Sequence, residues 1–187
     1  MTSKSDLRAE LLMRRRAMSD ADRRAASLAI AQHAAATPAF GRARRVAVYL
    51  SMSSEPGTGP LIEELFTRGI EVVAPISLPD HTLDWSLVEP GAPTTTAPIG
   101  MDEPIGPRLG PGTPSTCDLI VLPALAVAHD GHRLGRGAGF YDRALAGVDV
   151  PRCALVFAHE VLPDVPHEDH DLPMQMALTP QGLFRVL

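Results

Sequence analysis

The order of hydrophobic patterns along the chain predicts an α/β fold built on parallel strands. Two observations carry that expectation. A β-branched and aromatic run at 45–50 is followed by a helical pattern and a second β-rich run at 70–75, and a later apolar run at 119–128 leads through a glycine-rich turn into a short helix. A strand, helix, strand order implies a parallel pair with a right-handed crossover.

Taken in order, residues 3–17 read as a helix, with Leu7, Leu11 and Leu12 on one side and Arg8, Arg14, Arg15 and Arg16 over the polar arc. Ser19 is placed to cap a second helix, with Asp22 near the positive end of its dipole, and the alanine-rich run continues to Thr37 and Pro38. The run RVAVYL at 45–50 reads as a buried strand, 51–58 as a loop, 61–68 as a helix ending at Gly69, and 70–75 as a second strand. Residues 83–88 alternate like an edge strand, whereas 89–116, dense in Pro, Gly and Thr, read as ordered loop or flexible cover, with mobility expected. A central strand at 119–128, another at 154–157 and a last one at 177–187 complete the pattern.

With 187 residues, 45% of them hydrophobic, the chain can bury one substantial core, and a single domain over 1–187 is the expectation. The first ten residues are polar, and the most apolar stretch, 119–128, is interrupted by Pro123 and too short to cross a bilayer. A cytoplasmic, soluble protein with no membrane partner is therefore expected. Cys117 and Cys153 sit in apolar surroundings without a CxxC spacing, which favours buried thiols over a disulfide, a zinc site or a nucleophile.

The net charge of −5 hides two opposite parts. Residues 1–45 carry ten of the 17 Lys and Arg against four acids, a net +6, and the remainder has seven Arg against 18 acids, a net −11. The basic segment has amphipathic helical spacing and no interleaved aromatics, so it reads as a solvated helix face and not as a nucleic-acid surface. In the acidic part, Arg133, Arg136 and Arg143 fall within eleven residues beside glycines, which points to an anionic ligand.

The chemistry concentrates in DGHRLGRGAGFYDR, residues 130–143. Gly135, Gly137 and Gly139 let backbone approach phosphate oxygens, Arg133 and Arg136 can neutralise them, and Asp142 can hold a divalent cation. The junction also follows a strand and opens a helix, where unpaired amides meet anions in open α/β sheets. Spacing alone fits equally a turn whose glycines serve only backbone geometry. The sequence lacks the GxxxxGK of a Walker loop, and its GxGxG spacing differs from the GxGxxG of a dinucleotide fold.

This string resembles the signature of the 5-formyltetrahydrofolate cyclo-ligases, or methenyltetrahydrofolate synthetases. KSDLR at 4–8 is similar to that family's amino-terminal motif, LSMSSE at 50–55 with Thr58 to its substrate loop, IGMDEP at 99–104 to its Gly-Ile-x-Glu-Pro segment, and His170 and Asp171 with Thr179 to its closing motif. The resemblance spans nearly the whole chain. It implies a three-layer α/β/α fold with a mostly parallel central sheet, like that of the ribose-phosphate and glucosamine-phosphate isomerases. It also implies ATP-dependent conversion of 5-formyltetrahydrofolate, with or without a polyglutamate tail, to 5,10-methenyltetrahydrofolate, ADP and phosphate. The formyl oxygen takes the γ-phosphoryl group and N10 then attacks the activated carbon. ATP and Mg2+ are the implied cofactors, a small folate the partner, and a monomer the expected state.

By the same resemblance, Lys4, Arg8, Arg133, Leu134, Gly135, Arg136, Gly137, Ala138, Gly139, Phe140 and Tyr141 line ATP. Leu50, Met52, Glu55 and the stretch Arg136 to Phe140 face the folate, Asp142 and Asp171 hold magnesium, and Arg136 and Tyr141 act in catalysis. Lys4 is the only lysine of the sequence. His167, Glu168, Asp169, His170 and Asp171 lack the ligand spacing of a transition-metal site and read as a polar loop, with a metal role for Asp171 alone. Two residues depart from the motif: Ala138 stands where the family often has Lys, and Phe140 replaces Tyr. A non-catalytic folate or nucleotide binder on the same scaffold is the alternative that the missing charge suggests.

Overall fold

The computed structural model describes residues 3–98, 100–168 and 171–186. Ile99 and His170 of the resembling motifs, with Asp169 and Leu187, lie outside the described residues.

The amino-terminal helices form as their caps require. Ser3 precedes α1 (Lys4–Ala17) and Ser19 precedes α2 (Asp20–Ala35), and each hydroxyl accepts the amide N–H three residues on, from Asp6 and Asp22 at 3.1 Å. A single turn, α3 (Pro38–Gly41), leads into β1 (Arg45–Val48). Then come α4 (Gly59–Thr67), β2 (Glu71–Ser77), β3 (Leu83–Val88), β4 (Thr94–Thr96), β5 (Asp102–Pro104), β6 (Leu119–Pro123), β7 (Ala126–Ala128), β8 (Arg133–Leu134), α5 (Phe140–Ala144), β9 (Arg152–Leu155), β10 (Val161–Leu162), β11 (Met176–Thr179) and β12 (Gly182–Arg185).

Seven strands form one sheet in the order β12-β11-β9-β6-β1-β2-β3. The five inner strands run parallel, and only the outer pairs, β2 with β3 and β11 with β12, are antiparallel. Val46, Ala47 and Val48 are all 0% exposed. Because successive side chains of a strand point to opposite faces, both faces of the sheet are covered, as the three-layer expectation requires. α2 packs on α4, and the apolar faces of β1, β6 and β9 share one core with Tyr141 and Leu145. Among the described residues no helix is long and apolar enough to cross a membrane. Cys117 and Cys153 are free and buried, and burial pushes their thiols up to about 11 and about 12, which keeps both protonated.

Four expectations need correction. The run 119–128 is not one strand: it breaks after Pro123, and Ala126–Ala128 crosses into a separate sheet, β10-β7-β8, whose apolar residues pack under α1 through Leu11, Leu125 and Leu134. Pro123 lacks the N–H that would continue the ladder, and a continuous apolar run does not announce such a break. The carboxyl-terminal stretch is a hairpin, β11 and β12, turning at Pro180 and Gln181. Residues 89–116 contain the hairpin β4–β5 and a 3-10 turn, Thr113–Thr116, and β5 lies against β2 and β3. Finally, Arg15 is not on a solvated face. It is 1% exposed, and its guanidinium holds both oxygens of Glu160 at 2.7 Å and the carbonyl of Ala124 at 2.6 Å.

Candidate active site

At the carboxyl ends of β1 and β6 the chain encloses a cavity of about 850 Å³. Residues 133–142 line it without a gap, and Lys4, Arg8, Met52, Glu55 and Asp171 join them from three other segments. Every expected site residue therefore meets in one place except Leu50, which packs half-buried against the core. The walls also include Arg143, which the sequence groups with Arg133 and Arg136 beside the glycines, and Arg15, Tyr49, Ser77 and Leu83, which the motifs do not single out.

α1 supplies one wall by its periodicity. Lys4, Arg8, Leu11 and Arg15 follow each other at spacings of four and three, so they share one helix face. Arg8 Nε donates to the carbonyl of Gly135 at 2.9 Å. Gly137 has φ +99, and a Cβ there would come within 3.4 Å of the Arg8 guanidinium carbon, so the glycine admits both the turn and the arginine. Gly139 has φ +68, and a Cβ on it would meet Arg143 Nη1 at 2.8 Å. The following helix, α5, has only five residues, too few for an anion site at its amino terminus; the turn itself carries the exposed backbone.

Three cations of the cavity are paired with carboxylates. Lys4 Nζ bonds Asp171 Oδ2 at 2.9 Å and Glu168 Oε1 at 3.0 Å. Burial opposes its charge, but these hydrogen bonds outweigh burial and hold its pKa above the ordinary value. Arg133 Nη1 bonds Asp142 Oδ1 at 2.9 Å, and Arg136 Nε lies 3.3 Å from Glu55 Oε1. The other Glu55 oxygen accepts from the amide of Met52 at 2.9 Å, so the carboxylate is held in place, 5% exposed, while the side chain of Arg136 is 41% exposed.

At position 138, where the resembling motif has a cation on the side chain, Arg143 reaches back. Its Nη2 donates to the Ala138 carbonyl at 2.7 Å and to the His81 carbonyl at 2.9 Å, and its guanidinium lies 5.9 Å from the ring centre of Phe140. A positive charge thus stands beside this part of the turn.

Tyr49 Oη, Ser77 Oγ, Arg133 Nε and Tyr141 Oη are buried on these walls without a hydrogen-bond partner among the described residues. Leaving such a group unpaired costs about 1–3 kcal/mol, so four on one cavity mark a surface shaped for a polar ligand. Burial first, and then the charge of Glu55, push the phenol of Tyr141 well above its ordinary range; it is a donor at any physiological pH. The set also fits a hard divalent cation. Asp142 and Asp171 are two carboxylates on the same cavity, each in an ion pair, with Arg133 and with Lys4, that a metal would join or replace.

A model of the 5-formyltetrahydrofolate cyclo-ligase family matches residues 1–180. The chain is 38% identical over 186 residues to a 5-formyltetrahydrofolate cyclo-ligase of Mycolicibacterium smegmatis, covering 96% of this chain and 94% of that one. It is 28% identical to the mouse protein of the same name, covering 95% and 93%. The solved structure of Aquifex aeolicus 5,10-methenyltetrahydrofolate synthetase superposes with a TM-score of 0.82 at 27% identity, over 98% of this chain and 92% of that one. On the family match across its length and the close full-length relatives, the chain belongs to the 5-formyltetrahydrofolate cyclo-ligase family.

Proposed function

We propose that this chain is a cytoplasmic enzyme, acting as a monomeric single domain, that closes 5-formyltetrahydrofolate to 5,10-methenyltetrahydrofolate at the expense of ATP. The observation that carries the reading is the meeting of residues 133–142, Lys4, Arg8, Glu55 and Asp171 around one cavity. The formyl oxygen attacks the γ-phosphorus as the bond to ADP breaks. N10 then adds to the formyl carbon, its proton is lost, and phosphate departs with the former formyl oxygen. No covalent bond to the protein is needed, so catalysis rests on positioning and charge.

In this scheme Lys4, Arg8 and Arg133, with the backbone amides of the turn Leu134 to Gly139, receive the triphosphate. Arg136 stands between the two substrates: it releases Glu55 and turns its guanidinium to the transferring phosphoryl group. Glu55, fixed by the Met52 amide, accepts N–H donors of the pterin. Tyr141 donates a hydrogen bond to the oxygen on which charge develops. Phe140 and Met52 supply apolar surface for the rings. Magnesium held by Asp142 and Asp171 would supply positive charge to the phosphate oxygens. The Arg143 guanidinium beside Ala138 offsets the missing lysine, which favours an enzyme over a passive binder.

The test is direct. Purified protein is mixed with 5-formyltetrahydrofolate and Mg-ATP, and the methenyl chromophore is followed. Absorbance should rise only with ATP present, with one ADP released per product. Ligand binding without that product would make the chain a non-catalytic binder.

A further inference from the structure

Three side chains outside the cavity meet on loops that the proposed reaction does not use. Asp130 and His132 lie in the turn between β7 and β8, and His167 lies in the segment after β10; one ligand atom from each falls within 4.8 Å of the other two. The turn is tightly built. Gly131 has φ +89, Ala128 N donates to the His132 carbonyl at 2.8 Å, and Asp130 Oδ1 accepts the amide of His132 at 3.1 Å. Both side chains are therefore held on one side of a short hairpin.

The distance between Asp130 and His132 is that of neighbouring ligands around an ion. Two atoms each about 2.1 Å from one metal, at angles between square and tetrahedral, stand about 3.0–3.4 Å apart. His132 Nδ1 lies 3.2 Å from Asp130 Oδ2, yet it is buried and makes no aligned hydrogen bond among the described residues. That pair has the spacing of neighbouring ligands without the direction of a donor and its acceptor. His167 completes the set. Its Nδ1 is 3.1 Å from the carbonyl of Val165, an acceptor only, so in the neutral ring Nδ1 carries the proton and Nε2 keeps its lone pair. The two rings are stacked, 3.6 Å between centres and 6° between planes. Parallel rings cannot aim lone pairs at one point, so the exposed His167 ring must tilt as the ion enters.

We propose that Asp130, His132 and His167 form a binding site for a borderline divalent cation of the zinc, cobalt and nickel class. Two imidazole nitrogens and one carboxylate suit such ions and not magnesium, which takes oxygen ligands. Asp130 and His167 are exposed, so water fills the remaining positions and the ion exchanges. Binding ties the 163–168 segment to the β7–β8 turn. His132 adjoins Arg133 and His167 adjoins Glu168, both on the cavity wall, so the ion steadies that rim.

The test uses full-length protein with any affinity tag removed, titrated with Co2+ and then with Zn2+. Wild type should take up one Co2+ with a visible absorption spectrum, Zn2+ should displace it, and excess Mg2+ should not. His167→Ala should weaken Co2+ binding by about tenfold or more and alter the spectrum. His167→Gln, which keeps side-chain bulk, should do the same while its metal-free circular dichroism and Tm match wild type. Absence of Co2+ uptake by wild type, or unchanged affinity and spectrum in both variants, overturns the site. No folate or ATP enters this measurement, so its failure leaves the proposed reaction standing.

Discussion

Two arginine–glutamate pairs border the same cavity and could hardly be more different. Arg15 and Glu160 are 1% and 0% exposed, joined by two bonds of 2.7 Å, with the Ala124 carbonyl accepting a further bond from Arg15 and the Phe157 amide donating to Glu160. Arg136 and Glu55 meet through a single contact of 3.3 Å, and the Arg136 side chain is 41% exposed. A sealed pair has no water to replace its partner, so it is part of the scaffold and fixes α1 to the sheet. The Arg136 guanidinium is open to solvent and its single contact is long, so in the proposed reaction it exchanges a carboxylate for a phosphate while the Met52 amide keeps Glu55 in place. Three cations of the cavity, Lys4, Arg133 and Arg136, are each paired with a carboxylate, and in the proposed reaction a ligand takes that place.

The strongest way to break this contrast is to remove one member of the sealed pair. Glu160→Ala leaves a buried guanidinium unbalanced and should destabilise the fold by about 3–5 kcal/mol, read from urea or thermal unfolding. Replacing both members, Arg15→Met with Glu160→Met, should recover most of that loss. It should not recover all of it, because the Phe157 amide and the Ala124 carbonyl lose their partners. If Glu160→Ala proved as stable as wild type, the sealed pair would not be scaffold at all.

Breaking the open pair should act on turnover instead. Arg136→Ala is expected to lower kcat by about 10²–10³-fold, the scale for loss of one preorganised charge-stabilising donor. Its unfolding free energy should fall by less than that of Glu160→Ala, because the Met52 amide still holds the Glu55 carboxylate when the half-exposed guanidinium is removed. Steady-state kinetics beside a denaturation curve separates the two. A large stability loss with intact kcat would reverse the roles assigned to the two arginines.

Sequence reading recovered what is local and missed what is not. Both serine caps, the strands at 45–50 and 70–75 and the glycine turn follow from residue types at short spacing, and all but one of the site residues it pointed to converge. The exception, Leu50, occupies a strand end, where packing and ligand contact look alike from sequence. Arg15 was indistinguishable from Arg14 and Arg16, because its partner is 145 positions away and only the tertiary fold brings Glu160 to it. Tyr49 sits inside an apolar run, and nothing nearby reveals that it lines the cavity with its hydroxyl buried and without a partner among the described residues. His132 and His167 were 35 positions apart for the same reason of distance, and their stacking needed the fold.

A third carboxylate carries the contrast to its weakest limit, where solvent competes for every bond. Asp118 is exposed, yet one oxygen accepts the amides of Arg44 at 2.7 Å and Arg45 at 3.1 Å, joining the start of β1 to the start of β6. Those two hydrogen bonds, the Arg44 amide foremost, hold its pKa below the ordinary 3.8. A carboxyl group whose pKa is lower in the folded chain adds stability above the unfolded value of 3.8, and that contribution fades as pH falls through the lower folded value. Asp118→Asn should therefore be slightly less stable than wild type at neutral pH, and the difference should shrink below pH 3.8 as the wild-type carboxyl takes up its proton. Unfolding curves across the acid limb measure this. A difference between the two proteins that stayed constant with pH would mean that the side chain's shape, and not its charge, joins the strands. Solvent would then have removed at this site the very effect that burial makes decisive at Arg15 and Glu160.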